Sequence, residues 1–305
     1  IETFVVKSAD GTEHTVTITI TGRNDAPELS ASGGEALQED IDVVTGTAST
    51  EVLTTGGSLS TSDVDTADSH TYDSGFESVT AGENTKLTDE QIAQLSKGNF
   101  IVSEDGKSWH YEISNDLTQS LAAGQTANVT YWVTVDDKHG GTDTKEVTIV
   151  IKGTNDLPVL TAQDSYVKED KNTTAISEEG VVKEVLKTGG ALITEDVDTA
   201  DTHYYRIGKV MVESGEGAAL TEEQIAALKQ GVFALDKDNQ NWSYEIDNAL
   251  TQSLAAGQEA KVSYVVAVRD NHGGVDSVTI TITIKGTNDK PTIEVTSSEE
   301  LSESH

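Results

Sequence analysis

The chain has 305 residues, 53 acidic side chains against 20 basic ones, a net charge of −33 and no cysteine. That charge excludes nucleic acid as a partner, because phosphate binding needs a basic surface, and the missing thiols exclude both a disulfide framework and a thiolate zinc centre. With hydrophobic residues at 35% and aromatics at 5%, the composition is that of about two ordinary domains with modest cores, whose carboxylate excess repels itself unless cations neutralise it.

Residues 1–22 end in VTITITG, which matches the ends of two later segments, EVTIVIKG and SVTITITIKG. The phrase GRNDAP follows at 22–27 and returns as GTNDLP at 153–158 and GTNDKP at 286–291. Asn24, Asn155 and Asn288 are therefore 131 and 133 residues apart, a period too long for a solenoid and right for one domain. Between these phrases the text repeats in register: DVDTAD at Asp63 and Asp196, LTQSLAAGQ at Leu117 and Leu250, and Thr88, Trp109 and His139 as Thr221, Trp242 and His272. The chain thus divides into the C-terminal strands of a preceding repeat (1–22), two full repeats (23–154 and 155–287) and the start of another (288–305). It is expected to be a section of a longer tandem array whose targeting signal lies outside it. There is no signal-peptide pattern at Ile1 and no apolar run long enough to span a membrane.

Within each repeat, LTDEQIAQLSKG and LTEEQIAALKQG predict a short helix. Thr88 and Thr221 are its N-caps, Gln91 and Gln224 complete capping boxes, and Gly98 and Gly231 stop it; Ile92, Leu95, Ile225 and Leu228 face the core. Strands follow from period-two alternation: Trp109, Tyr111 and Ile113; Val129, Tyr131, Val133 and Val135; and Val278, Ile280, Ile282 and Ile284. EDGKS and DDKHGGTD supply turns. Short strands separated by Gly and Asp turns predict an all-β antiparallel sandwich with one helical insertion per repeat. The alternation places Trp109 and Trp242 in the core rather than on a sugar-stacking platform. His70, His139, His203 and His272 are read as turn hydrogen-bonding groups, since no second nitrogen or sulfur ligand is spaced for a transition metal. No Ser-His-Asp order, phosphate loop or HExxH occurs, and carboxylates gathered at domain joints do not flank a substrate cleft, so the chain is read as non-enzymatic.

The stretch YWVTVDDKHGGTDTKEVTIVIKGTNDLP resembles the end of a cadherin repeat, and LQED and LSTSDVDTADSHTY resemble the Glu-containing and Asp-x-Asp segments of one. More closely, both full copies are similar to the VCBS-type, cadherin-like extender repeats of large bacterial RTX adhesins, through TSDVDTADSHTY, SLAAGQ, VTVDDKHGG and TIVIKGTNDLP in fixed order. The resemblance implies tandem Ig-like/cadherin-like antiparallel β-sandwich domains that bind Ca²⁺, an ion that takes six to eight oxygen ligands at about 2.4 Å. In an Ig-like sandwich the Asp-x-Asp loop and the last hairpin lie at the end where the linker enters. Asp63, Asp65 and Asp137 are therefore expected to converge on Asn24 and Asp25, and Asp196, Asp198 and Asp270 on Asn155 and Asp156. By resemblance, Glu39 completes the joint at Asn155, and Glu169 the joint at Asn288 and Asp289. For Asp40 and Asp170, ligation and turn capping both stay open. Where cadherins carry a further acidic Asp-Arg-Glu segment, this chain has the uncharged LTQSLAAGQ, which implies fewer or weaker ions per joint.

The function implied is that of a calcium-rigidified extender in a secreted cell-surface adhesin of a Gram-negative bacterium, exported by type I secretion and serving cell adhesion and biofilm formation. Neighbouring repeats would be its partners through calcium-bridged joints, holding a distal ligand-binding tip outside this chain away from the cell, with no direct membrane insertion. The alternative is that the repeats themselves bind a glycan, a peptide or a like repeat, through the helix-bearing insertion.

Overall fold

The computed structural model describes residues 1–46, 50–83, 85–171, 173–178, 181–291 and 293. The chain divides into two compact units, Ile1–Thr154 and Asn155–His305. The first opens with an antiparallel hairpin of β1 (Glu2–Lys7) and β2 (Glu13–Ile18). Phe4, Val6, Val16 and Ile18 share one of its faces and are about half exposed.

The rest of the first unit is a two-sheet sandwich. Its strands are β3 (Glu28–Gly33), β4 (Leu37–Gln38), β5 (Val43–Thr45), β6 (Glu51–Ser62), β7 (Thr71–Ala81), β8 (Asn99–Val102), β9 (Ser108–Ser114), β10 (Thr126–Asp136) and β11 (Thr142–Lys152), with helix α1 (Asp89–Leu95) between β7 and β8. One sheet runs β3-β6-β9-β8 with β5 also on β6, and the other runs β4-β11-β10-β7. Within this unit the pairing of β4 with β11 alone is parallel among the described residues. This follows because β3 and β4 are halves of one leading segment that crosses between sheets at Gly33 and Gly34. Both glycines sit near φ +90°, and a Cβ on Gly33 would come within 2.6 Å of the Gly57 Cα, so no other residue fits there.

The second unit repeats the plan with β12 (Val159–Ala162), β13 (Ser165–Lys168), β14 (Thr173–Glu178), β15 (Val181–Glu195), β16 (Tyr204–Ile207), β17 (Met211–Ser214), helix α2 (Glu222–Leu228), β18 (Val232–Leu235), β19 (Asn241–Asp247), β20 (Glu259–Arg269) and β21 (Val275–Lys285). Its sheets are β12-β15-β19-β18, with β14 on β15, and β13-β21-β20-β16, with β17 on β20. Here Asp164 marks the crossing and its carboxylate accepts the Thr281 N–H at 2.7 Å.

The predicted alternation is what fills the core. Val129, Val133 and Val135 on β10 and Val262, Val266 and Val268 on β20 are fully buried, as are Trp109, Tyr111, Trp242 and Tyr244. Phe100 stacks between Trp109 and Tyr131, and Phe233 between Trp242 and Tyr264, so burial in an aromatic core is what these tryptophans do. Both capping boxes are formed. The glycines after the helices have another reason than the one expected. The helices end at Leu95 and Leu228 with right-handed caps, and a Cβ on Gly98 or Gly231 would overlap the Tyr111 or Tyr244 hydroxyl. Tyr131 and Tyr264 then donate to the Gly98 and Gly231 carbonyls at 2.7 and 3.0 Å, fastening each helix to the sheet.

Candidate metal centre

Each unit gathers carboxylates where its linker enters. In the first, Asp137 closes the β10–β11 turn: its Oδ1 accepts the His139 and Gly141 N–H groups at 2.7 and 2.9 Å. Gly141 is needed because a Cβ there would overlap the Asp137 carboxylate. Asp137 Oδ2 accepts from Asn24 Nδ2 at 2.7 Å. The Asp25 N–H donates to Asp65 at 2.8 Å, and the Asp65 N–H to Asp63 at 2.9 Å. In the second unit Asn155 Nδ2 donates to Asp270 at 3.1 Å, the Asp156 N–H to Asp198 at 2.8 Å and the Asp198 N–H to Asp196 at 3.1 Å. The residues read from the sequence as one cluster per repeat are thus brought together in both.

A further carboxylate in each cluster was missed. Carboxylate oxygens of Asp63, Asp68 and Asp137 lie within 4.8 Å of one another, as do those of Asp196, Asp201 and Asp270. The last letter of DVDTAD carried this signal. A tight turn, in which the Asp68 N–H bonds the Asp65 carbonyl at 2.9 Å and the Asp201 N–H the Asp198 carbonyl at 3.0 Å, folds it back into the group.

The histidines do more than complete turns. His70 Nε2 lies 2.9 Å from Asp63 and His203 Nε2 2.7 Å from Asp196, while His139 Nδ1 lies 3.1 Å from Asp68 and His272 Nδ1 3.0 Å from Asp201. They therefore back the carboxylates from outside. The hydrogen bond from His70 holds Asp63 below the ordinary carboxylate range. The bond from Asn24 does the same for Asp137. For Asp270, burial opposes the charge, but hydrogen bonds from Asn155 and the His272, Gly274 and Gly273 N–H groups outweigh it and hold the group low.

Asp198 is the exception. It is 1% exposed, and burial, followed by repulsion from Asp156, Asp201 and Asp196, pushes it up to about 7. Its Oδ1 and the Oδ1 of Asn155 are buried with no hydrogen-bond donor. Acceptor oxygens without donors, beside three more carboxylates, are a set of ligand atoms that could hold a cation. An all-oxygen set, with histidine nitrogens already turned onto carboxylates, suits a hard ion such as Ca²⁺.

Glu39 and Glu169 are fully buried and belong to a second arrangement. Glu39 accepts from the Thr154 N–H at 3.3 Å and from Gln119 at 3.0 Å; Glu169 accepts from the Thr287 N–H and from Gln252, both at 2.9 Å. Asp40 and Asp170, at φ 56° and 53°, exchange two hydrogen bonds with Asn115 and Asn248, which is the geometry of turn capping. The uncharged segment after β9 and β19 thus supplies amide donors to these acids. Burial, with the charges of Asp289 and Asp170 adding to it, raises Glu169 to about 7. Asn288 Nδ2 donates to the Asp289 carbonyl at 3.2 Å. Elsewhere carboxylates are structural: Asp143 and Asp276 accept the Leu29 and Leu160 N–H groups at 2.8 and 2.7 Å, tying the leading strand to the last hairpin.

No family model matches the chain, and no curated protein matches it. Among solved structures, it is similar to the extracellular cadherin domains 3–6 of protocadherin gamma B2, at 12% identity and TM-score 0.40 over 92% of this chain and 55% of that one. It is also similar to the protocadherin gamma B4 extracellular domain (14%, TM-score 0.39, 95% and 40%) and the human desmocollin-1 ectodomain (14%, TM-score 0.30, 93% and 47%). The chain spans about half the length of these structures. The class of the fold, tandem antiparallel β-sandwiches with a short helix in each, rests on the strand order itself.

Proposed function

We propose that the chain is a calcium-rigidified extender of a secreted bacterial adhesin, of the VCBS type that its phrases resemble. The observation that carries this reading is the pair of donorless buried oxygens on Asn155 and Asp198, set beside the Asp196, Asp201 and Asp270 carboxylates. Without a cation these groups repel one another and Asp198 is charged only at a cost. A hard divalent ion removes both penalties. Asn24, Asp25, Asp63, Asp65, Asp68 and Asp137 form the same centre in the first unit.

Extracellular calcium modules bind at about 10⁻⁴ to 10⁻³ M. Such sites are empty in a calcium-poor cytoplasm, leaving the chain pliable for type I export, and fill outside. Sharing of the ions with Glu39 and Glu169 across joints, alignment of repeats into a rod, and display of a distal tip from a Gram-negative cell surface for adhesion and biofilm formation belong to the same proposal. The chain performs no catalysis in it. Calorimetric titration of the protein with Ca²⁺ tests it: binding near millimolar or tighter is expected, with the second-unit site lost in Asp196→Ala plus Asp201→Ala. No heat and no thermal stabilisation by calcium would refute it.

A further inference from the structure

The outward faces of the two hairpin sheets carry opposite charge. Residues directly opposed in an antiparallel pair share a face. In the first unit Asp73 lies opposite Thr134, Asp136 opposite Thr71, and Glu146 opposite Trp132; on β10 these positions alternate with the buried Val133 and Val135, so they point away from the core. In the second unit Arg206 lies opposite Ala267, Arg269 opposite Tyr204, and Lys261 opposite Glu213, alternating with the buried Val262, Val266 and Val268. The repeat register makes Arg206 the counterpart of Asp73 and Arg269 the counterpart of Asp136, each 133 residues on. Two aspartates on one copy have become two arginines on the other.

This is unusual chemistry for the chain. It has three arginines, and two of them stand here as diagonal neighbours on adjacent strands. Arg206, Arg269 and Lys261 are exposed and make no ion pair among the described residues. Because the two units share one fold, the Asp73/Asp136 pair and the Arg206/Arg269 pair have the same cross-strand spacing, so one docking can bring both arginines onto both carboxylates. Guanidinium groups favour bidentate carboxylate contact. The centre of the acidic face is also suited to a dry contact. Trp132 packs against Gly75, where a Cβ would come within 2.6 Å of the indole, and is half-buried. On the basic face Tyr204 and Met211 are 66% and 44% exposed. Aromatic and arginine side chains are the groups that anchor protein interfaces.

We propose that the outward sheet face of the second unit docks on the outward sheet face of the first unit in a second copy of this chain, with Arg206 and Arg269 set against Asp73 and Asp136. The net charge of −33 opposes association at long range, but at about 0.15 M salt the screening length is about 8 Å and the local pairs survive it. The proposal does not depend on the calcium reading.

Sedimentation of the 305-residue protein at about 100 μM, in constant millimolar calcium and about 0.15 M NaCl, tests it. Concentration-dependent self-association is expected, weakened about tenfold at roughly 0.5 M NaCl. Arg206→Asp plus Arg269→Asp should abolish it, as should Asp73→Arg plus Asp136→Arg, while an equimolar mixture of the two variants should associate again. Asp73, Arg206 and Arg269 are exposed, whereas Asp136 is half-buried and accepts the Lys138 N–H at 2.6 Å, so circular dichroism of each variant checks that the fold is kept. A monomeric wild type, or association unaffected by either reversal, would overturn the proposal. So would a monomeric wild type retained on a sulfated polysaccharide matrix through Arg206 and Arg269, since the face would then belong to a polyanion.

Discussion

Asp198 exposes the chemistry of the site at the scale of one residue. Its raised pKa means that the folded state holds a proton the unfolded state has released, between the ordinary value of 3.8 and about 7. Glu169 acts in the same direction between 4.5 and about 7. Stability of the second unit in chelator should therefore fall as pH rises from about 4 to 7, and calcium, replacing the proton, should flatten that profile. Asp63, Asp137 and Asp270 lie below the ordinary range, so their contribution is lost only as pH falls beneath about 4. The two effects occupy separate windows. A thermal melt in EGTA that is level from pH 4.5 to 7.5 would contradict this account. Asp198→Asn gives a sharper outcome, a change of sign. It should raise the melting temperature in EGTA, where it removes an unpaired buried charge, and should weaken calcium binding about tenfold, so that the variant melts below wild type in calcium.

The elements were legible in the sequence to the extent that their causes are local. The capping boxes at Thr88 and Thr221 involve residues three apart, and both are formed. Thr88→Ala should therefore cost about 1 kcal/mol, measured by denaturant unfolding. Trp242→Ala, which removes a ring at 2% exposure stacked on Phe233, should cost about 3–5 kcal/mol. Strand periodicity likewise reports burial of one face, as in β10 and β21. What escaped the reading depends on distant partners. The Gly98 requirement is set by the ring of Tyr111, the sheet switch at Gly33 by the backbone of Gly57, and the duty of Asp143 by the N–H of Leu29. Asp68 escaped for a different reason. The Asp-x-Asp spacing drew attention to Asp63 and Asp65, while the turn that returns Asp68 to the group is visible only once the loop has folded.

For the whole molecule, the repeat was the strongest signal, since two copies of one sequence must give two copies of one fold. The assembly of Asn24, Asp25, Asp63, Asp65 and Asp137 at one end of a sandwich followed from knowing which loops a sandwich brings together. The faces that differ between copies were not legible, because outward positions have no periodic constraint and their charges acquire meaning only from the strand register. The central claim is that the acidic joints are calcium-stiffened. Small-angle scattering of the 305 residues in EGTA and then in millimolar Ca²⁺ tests it most directly, with Asp196→Ala plus Asp198→Ala as control and dilute protein to exclude self-association. Extension and stiffening with calcium, reduced in the variant, are expected. Identical profiles in the two buffers would contradict the claim and leave the carboxylates as solvated loops.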